Sequence, residues 1–109
     1  MIISTTSVLD GKKIKEYRGV VFGEAISGIH FYKDFAASIA NSFGGRVREY
    51  EEEIANARAD AINEMIDRAK KVGANALIGV SVDVEVLGDK DSMMMVTSSG
   101  TAVVVEEDK

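Results

Sequence analysis

From Ala76 to Leu87 the chain reads ALIGVSVDVEVL, with an apolar residue at every second position. Ile78, Val80, Val82, Val84 and Val86 would share one face of a strand, and Gly79, Ser81, Asp83 and Glu85 the other. In RVREYEEEIANARADAINEMIDRAKKVG, residues 46–73, the period lengthens. Val47, Tyr50, Ile54, Ala57, Ala61, Met65, Ala69 and Val72 are three or four apart and form one helical stripe. Glu49 and Glu51 to Glu53 stand near its start and Arg68, Lys70 and Lys71 at its end, matching the helix dipole. Gly73 is placed as a C-cap.

Two strands are expected before that helix. Residues 2–9, IISTTSVL, are short and β-branched, and Asp10-Gly11 supplies a type I′ hairpin signal. The second strand covers 14–27. Val20, Phe22 and Ile26 lie on one of its faces together with Glu24, while Gly19, Val21, Gly23 and Ala25 make the other small and flat. Phe31, Phe35, Ile39 and Phe43 recur every four residues and predict a short helix, broken at Gly44-Gly45. GDKDS, 88–92, is a turn into a last strand over 93–105, and EEDK is a solvated tail. The whole reads as a single domain over residues 1–109: an α+β fold with an antiparallel sheet packed on one long helix, plus a short helix.

Composition narrows the chemistry. A net charge of −5 argues against nucleic acid and anionic membrane surfaces. The absence of cysteine removes disulfides, thiolate catalysis and cysteine-based metal sites. The expectation is a soluble cytoplasmic protein, since no apolar run reaches membrane length and MIISTTSVLDGKK lacks a signal-peptide pattern. Met93, Met94 and Met95 alternate across a strand, so they do not converge as a thioether site and read as packing. The small residues Gly19, Gly23, Gly79, Ser99, Gly100 and Thr101 point to a close backbone approach, for which a second copy of the chain is the simplest occupant.

Candidate ligands are few. His30 is the only histidine and stands four before Asp34. A metal would need further carboxylates, for which Glu24, Asp83 and Glu85 are candidates, giving an oxygen-rich site for a divalent ion. Asp89 and Asp91 lack the rest of a calcium loop. Gly45 and Arg46 open the long helix, where free amides and a guanidinium can hold an anion. Glu24 on an apolar face needs a partner, and Arg58 beside the helix stripe is the candidate, within the subunit or across an interface. No GxSxG elbow, phosphate loop or triad is present, so the chain is read as no enzyme.

EYRGVVFGEAISG, DFAASIANSFGGR, YEEEIANARADA, GANALIGVSVDVE and MMMVTSSGTAV follow one another in the order and spacing of the YbjQ-like family, small prokaryotic proteins that carry a heavy-metal-binding label. The resemblance spans about residues 2–104. It implies a dodecin-like subunit assembling as a homopentameric ring in which short extra strands help subunits join. It supplies no agreed ligand set and no catalytic residue, and Arg18 stands where some relatives have cysteine. With the residues, it leads to a non-catalytic ring that binds a metal ion or small ligand at subunit interfaces or in its centre. The alternative is a scaffolding ring that presents a surface to a protein partner.

Overall fold

The computed structural model describes residues 1–27, 45–87 and 93–107. The expected short helix, His30 and the turn carrying Asp89 and Asp91 lie outside them. The elements are β1 (Ile2–Ile3), β2 (Lys12–Ser27), α1 (Gly45–Lys71), β3 (Ala76–Leu87) and β4 (Met93–Glu107). The strands make one sheet in the order β1-β3-β4-β2, with α1 lying mainly over β2 and β4. The α+β class holds, as do the long helix and the antiparallel pairing of β4 with both β2 and β3.

β1 departs from the expectation. The Asp10-Gly11 turn forms, closed by the Lys12 amide donating to the Leu9 carbonyl at 3.1 Å, with Gly11 at φ 77°. It does not join paired strands. β1 runs parallel to β3 at one edge of the sheet, and β2 lies beside β4 at the other. The segment between them packs Leu9 against Ala76, Ile78, Val103 and Val105, so burial of Leu9 takes the place of a local hairpin.

α1 buries Ala57, Ala61, Met65 and Ala69, the middle of the expected stripe. Val72 is 41% exposed because the helix has ended. Gly73, at φ 82°, donates its amide to Lys70, and the Ala74 amide reaches Ala69, both at 3.0 Å. This is a Schellman cap, with buried Ala69 and Ala74 as its apolar contact. The basic residues occupy the last turn as expected, but the first turn holds no acid, so the glutamates lie largely beyond the dipole's short reach.

The two faces of β2 reverse the sequence expectation. Val21, Gly23 and Ala25, the small side of β2, face α1 together with Met94, Val96, Ser98, Gly100 and Ala102 of β4. An alanine-rich helix can approach such a surface closely, and does. A Cβ built on Gly23 would run into the Ala61 carbonyl and come within 2.8 Å of the Met65 amide nitrogen. At Gly23 the close approach is therefore made by the chain's own helix. Ser98, opposite Gly23 and fully buried, donates to the Ala61 carbonyl at 2.8 Å. Met65 and Met94 fill the same layer as packing groups.

The valine alternation of β3 also breaks once. The register with β4 shifts between Ile78 and Ser81, where Gly79 takes φ 59°. This bulge turns Ile78 away from α1 to join Ala76 and Val103, while Val80 stays beneath the helix.

Candidate functional site

Among the described residues, the face of the sheet turned away from α1 is covered at one end by Leu9 and Ile14 and is open further along. Its residues follow from the cross-strand register. Reading from β2 across β4 to β3, the rows are Val20–Thr101–Ile78, Phe22–Ser99–Ser81, Glu24–Thr97–Asp83 and Ile26–Met95–Glu85. The β2 column is apolar except for Glu24. The β4 column is mostly hydroxyl, and the β3 column ends in two acids. Val20 and Ile26 are each 64% exposed and Phe22 is 48% exposed, high values for bulky residues of a strand.

Glu24 therefore lies on this open face and not within a core. Its partner is Arg68, not Arg58. One Arg68 Nη1 donates to Glu24 Oε2 at 3.0 Å and to the Phe22 carbonyl at 2.7 Å. The other terminal nitrogen pairs with Glu64, one turn earlier on α1. The turn of the helix explains the choice. At 3.6 residues per turn Arg68 follows Glu64 down the flank beside β2's outer edge. Arg58 stands one turn before Ile62, which packs against the cluster of Val21, Met65, Leu77 and Val80. Arg68 reaches around the sheet edge and occupies a carbonyl that no further strand takes among the described residues. Both side chains of the Glu24–Arg68 pair are 44% exposed, so this is a half-solvated ion pair and not a buried one.

In the sequence Arg68 reads as part of the basic run that suits the helix end, and its reach to Glu24 follows only from the way α1 sets Met65 against Gly23.

Of the expected metal ligands, the fold brings Glu24, Asp83 and Glu85 onto one face. Glu24 and Asp83 share a row with Thr97 between them, two strand spacings or about 10 Å apart along the backbone. Among the described residues no three His, Cys, Asp or Glu side chains converge as a metal site. The donors on the face are carboxylates and hydroxyls, with Met95 beside Ile26. This set suits a hard or borderline divalent cation better than a thiophilic one. Gly45 and Arg46 are the first residues of α1, the position that the anion reading requires. No helix of the described residues is long and apolar enough to cross a membrane.

Comparison with known proteins places this arrangement. The YbjQ_1 family model, described as "Putative heavy-metal-binding", matches residues 1–106. A UPF0145 protein of Acetivibrio thermocellus is 58% identical over 106 residues, covering 97% of this chain and 100% of its own length. A UPF0145 protein of Clostridium botulinum has the same values. One from Listeria welshimeri is 56% identical over 97% of this chain and 96% of its own. The crystal structure of a protein with unknown function from Pediococcus pentosaceus, of the DUF74 family, superimposes with a TM-score of 0.66 at 15% identity, over 97% of this chain and 98% of that one. That likeness speaks to the fold alone, whereas the family match and the close relatives speak to kinship: the chain belongs to the YbjQ_1 family.

Proposed function

We propose that the protein is a non-catalytic ring, a homopentamer of dodecin-like subunits, that binds a divalent cation where neighbouring copies bring Glu24, Asp83 and Glu85 together. The observation that carries this reading is the open sheet face, with Val20, Phe22 and Ile26 exposed on β2 and Asp83 and Glu85 two strands away on β3. Exposed apolar side chains on adjoining rows of one sheet mark an interaction surface. Among the described residues, one helix layer on one sheet layer leaves a broad face that a neighbour can cover.

A ring repeats each side chain around its axis, so two or three carboxylates per subunit become a shared cluster. Five-fold symmetry rests on the family resemblance. The need for a neighbour rests on the open face. A cation would be held by carboxylate oxygens with Thr97 nearby, which also neutralises acids that assembly brings together.

The second reading is a scaffolding ring that presents a surface to a protein partner or holds a small organic ligand. The hydroxyl column of Thr97, Ser99 and Thr101 favours it, because it gives the face hydrogen-bonding capacity without charge. Elemental analysis of untagged protein, combined with calcium and manganese titrations, separates the two. Stoichiometric cation lost in E24Q and D83N supports the metal reading. An assembled ring that takes up no cation contradicts it and leaves the scaffold.

A further inference from the structure

On the reading that Glu24 is a cation ligand, we infer that Arg68 is the internal competitor for that ligand, holding Glu24 and Glu64 together and keeping Glu64 when it yields Glu24 to the cation. The geometry is specific. Arg68 carries two charged contacts at once, Glu24 through Nη1 and Glu64 through Nη2, and a third bond to the Phe22 carbonyl keeps it at the sheet edge. Glu24 is thus neutralised within its own subunit. A cation that takes Glu24 must displace the guanidinium or sit beside a like charge, and either weakens binding. Glu64 supplies the alternative. It lies on the same helix flank one turn before Arg68, so Arg68 keeps a carboxylate partner and its anchor on Phe22 after it releases Glu24. Release therefore costs one half-exposed ion pair and leaves no charge unpaired. Arg68 sets the threshold at which the site fills, and Glu64 sets how readily Arg68 lets go.

Manganese titration by calorimetry tests this on wild type, E24Q, R68Q, R68K and E64Q, each checked for fold by circular dichroism. R68Q is expected to bind Mn²⁺ about two- to fivefold more tightly than wild type, the range a half-exposed pair supports. R68K keeps the charge and should stay closer to wild type than R68Q. E64Q leaves Arg68 with Glu24 alone and should bind more weakly than wild type. If E24Q abolishes binding but R68Q binds no better than wild type, the competitor role is wrong and the metal reading survives. If E64Q binds as tightly as wild type, or more tightly, the role of Glu64 in holding the released Arg68 is wrong. Should R68Q fail to fold, R68K and E64Q decide. If E24Q binds as wild type does, or no form binds Mn²⁺, both the competitor role and the metal reading fall.

Discussion

Gly23 and Ala61 meet backbone to backbone, with no room for a side chain between strand and helix. A Cβ on Gly23 would strike the Ala61 carbonyl, the Met65 amide nitrogen and the Ser98 hydroxyl, and two of these three belong to backbone that cannot rotate aside. G23A is therefore expected to cost about 3 kcal/mol or more in urea unfolding, because α1 must lift from the sheet. G100A is the control. Its new methyl would meet a Val80 methyl carbon at 3.1 Å, a side-chain contact eased by a few tenths of an ångström, and the Ile78 carbonyl oxygen and Met65 Sδ at an ordinary 3.5 Å. It should cost about 1 kcal/mol, at the low end of overpacking penalties. Equal losses for the two would contradict the packing described.

Ser98 adds a polar tie at the same point. Its hydroxyl, fully buried, donates to the Ala61 carbonyl at 2.8 Å. S98A should lose about 1 kcal/mol, the worth of one ordinary hydrogen bond. S98V should lose more, since its added methyl enters the layer where helix and strand are closest. A valine variant as stable as alanine would show slack at that contact.

The Glu24–Arg68 pair leads to a small number. A buried pair would lose about 3–5 kcal/mol on removal of one partner. With both side chains 44% exposed in the single subunit, E24Q in the I26K background, where that face is left uncovered, should change stability by no more than about 1 kcal/mol. Chemical denaturation at low and high salt checks this, and the small loss should shrink further as salt screens the pair. A loss of several kcal/mol in the wild-type background alone would show that assembly buries the pair.

The Schellman cap gives a fourth expectation. Gly73 stands at φ 82°, where a Cβ is strained, although the space around it is open apart from the Arg18 guanidinium carbon at 3.9 Å. G73A should cost about 1 kcal/mol with no change in assembly, because the effect is one of backbone conformation. Thermal unfolding followed at 222 nm would record it.

These relationships show what the sequence made legible. The long helix was readable because Ala57, Ala61, Met65 and Ala69 repeat at helical spacing over many turns. β3 and β4 were readable from alternation. Which face of β2 lay inward was not. Val20, Phe22 and Ile26 have the composition of a core, but burial was decided by how closely α1 could approach, and only the glycine–alanine side admits it. The parallel β1 was hidden because Asp10-Gly11 is a sound turn signal wherever the turned strands go next. The bulge at Gly79 was hidden because a single glycine within an alternating run does not state which residue is extra. The acids Glu24, Asp83 and Glu85 were individually visible as candidates. Their shared face depended on register across three strands, which no local pattern encodes. Arg58 and Arg68 both border the helix stripe, and only the placement of β2 relative to α1 distinguishes them.

The central claim is that the open face of Val20, Phe22 and Ile26 is covered by another copy of the chain. Light scattering coupled to size exclusion, on untagged wild type and on I26K, tests it most directly. Wild type should elute as a single species at five times the 11.7 kDa chain mass, and I26K should fall to smaller species while keeping its helical circular dichroism. A wild-type protein that stays monomeric at micromolar concentration, or an I26K variant with unchanged mass, would contradict the claim.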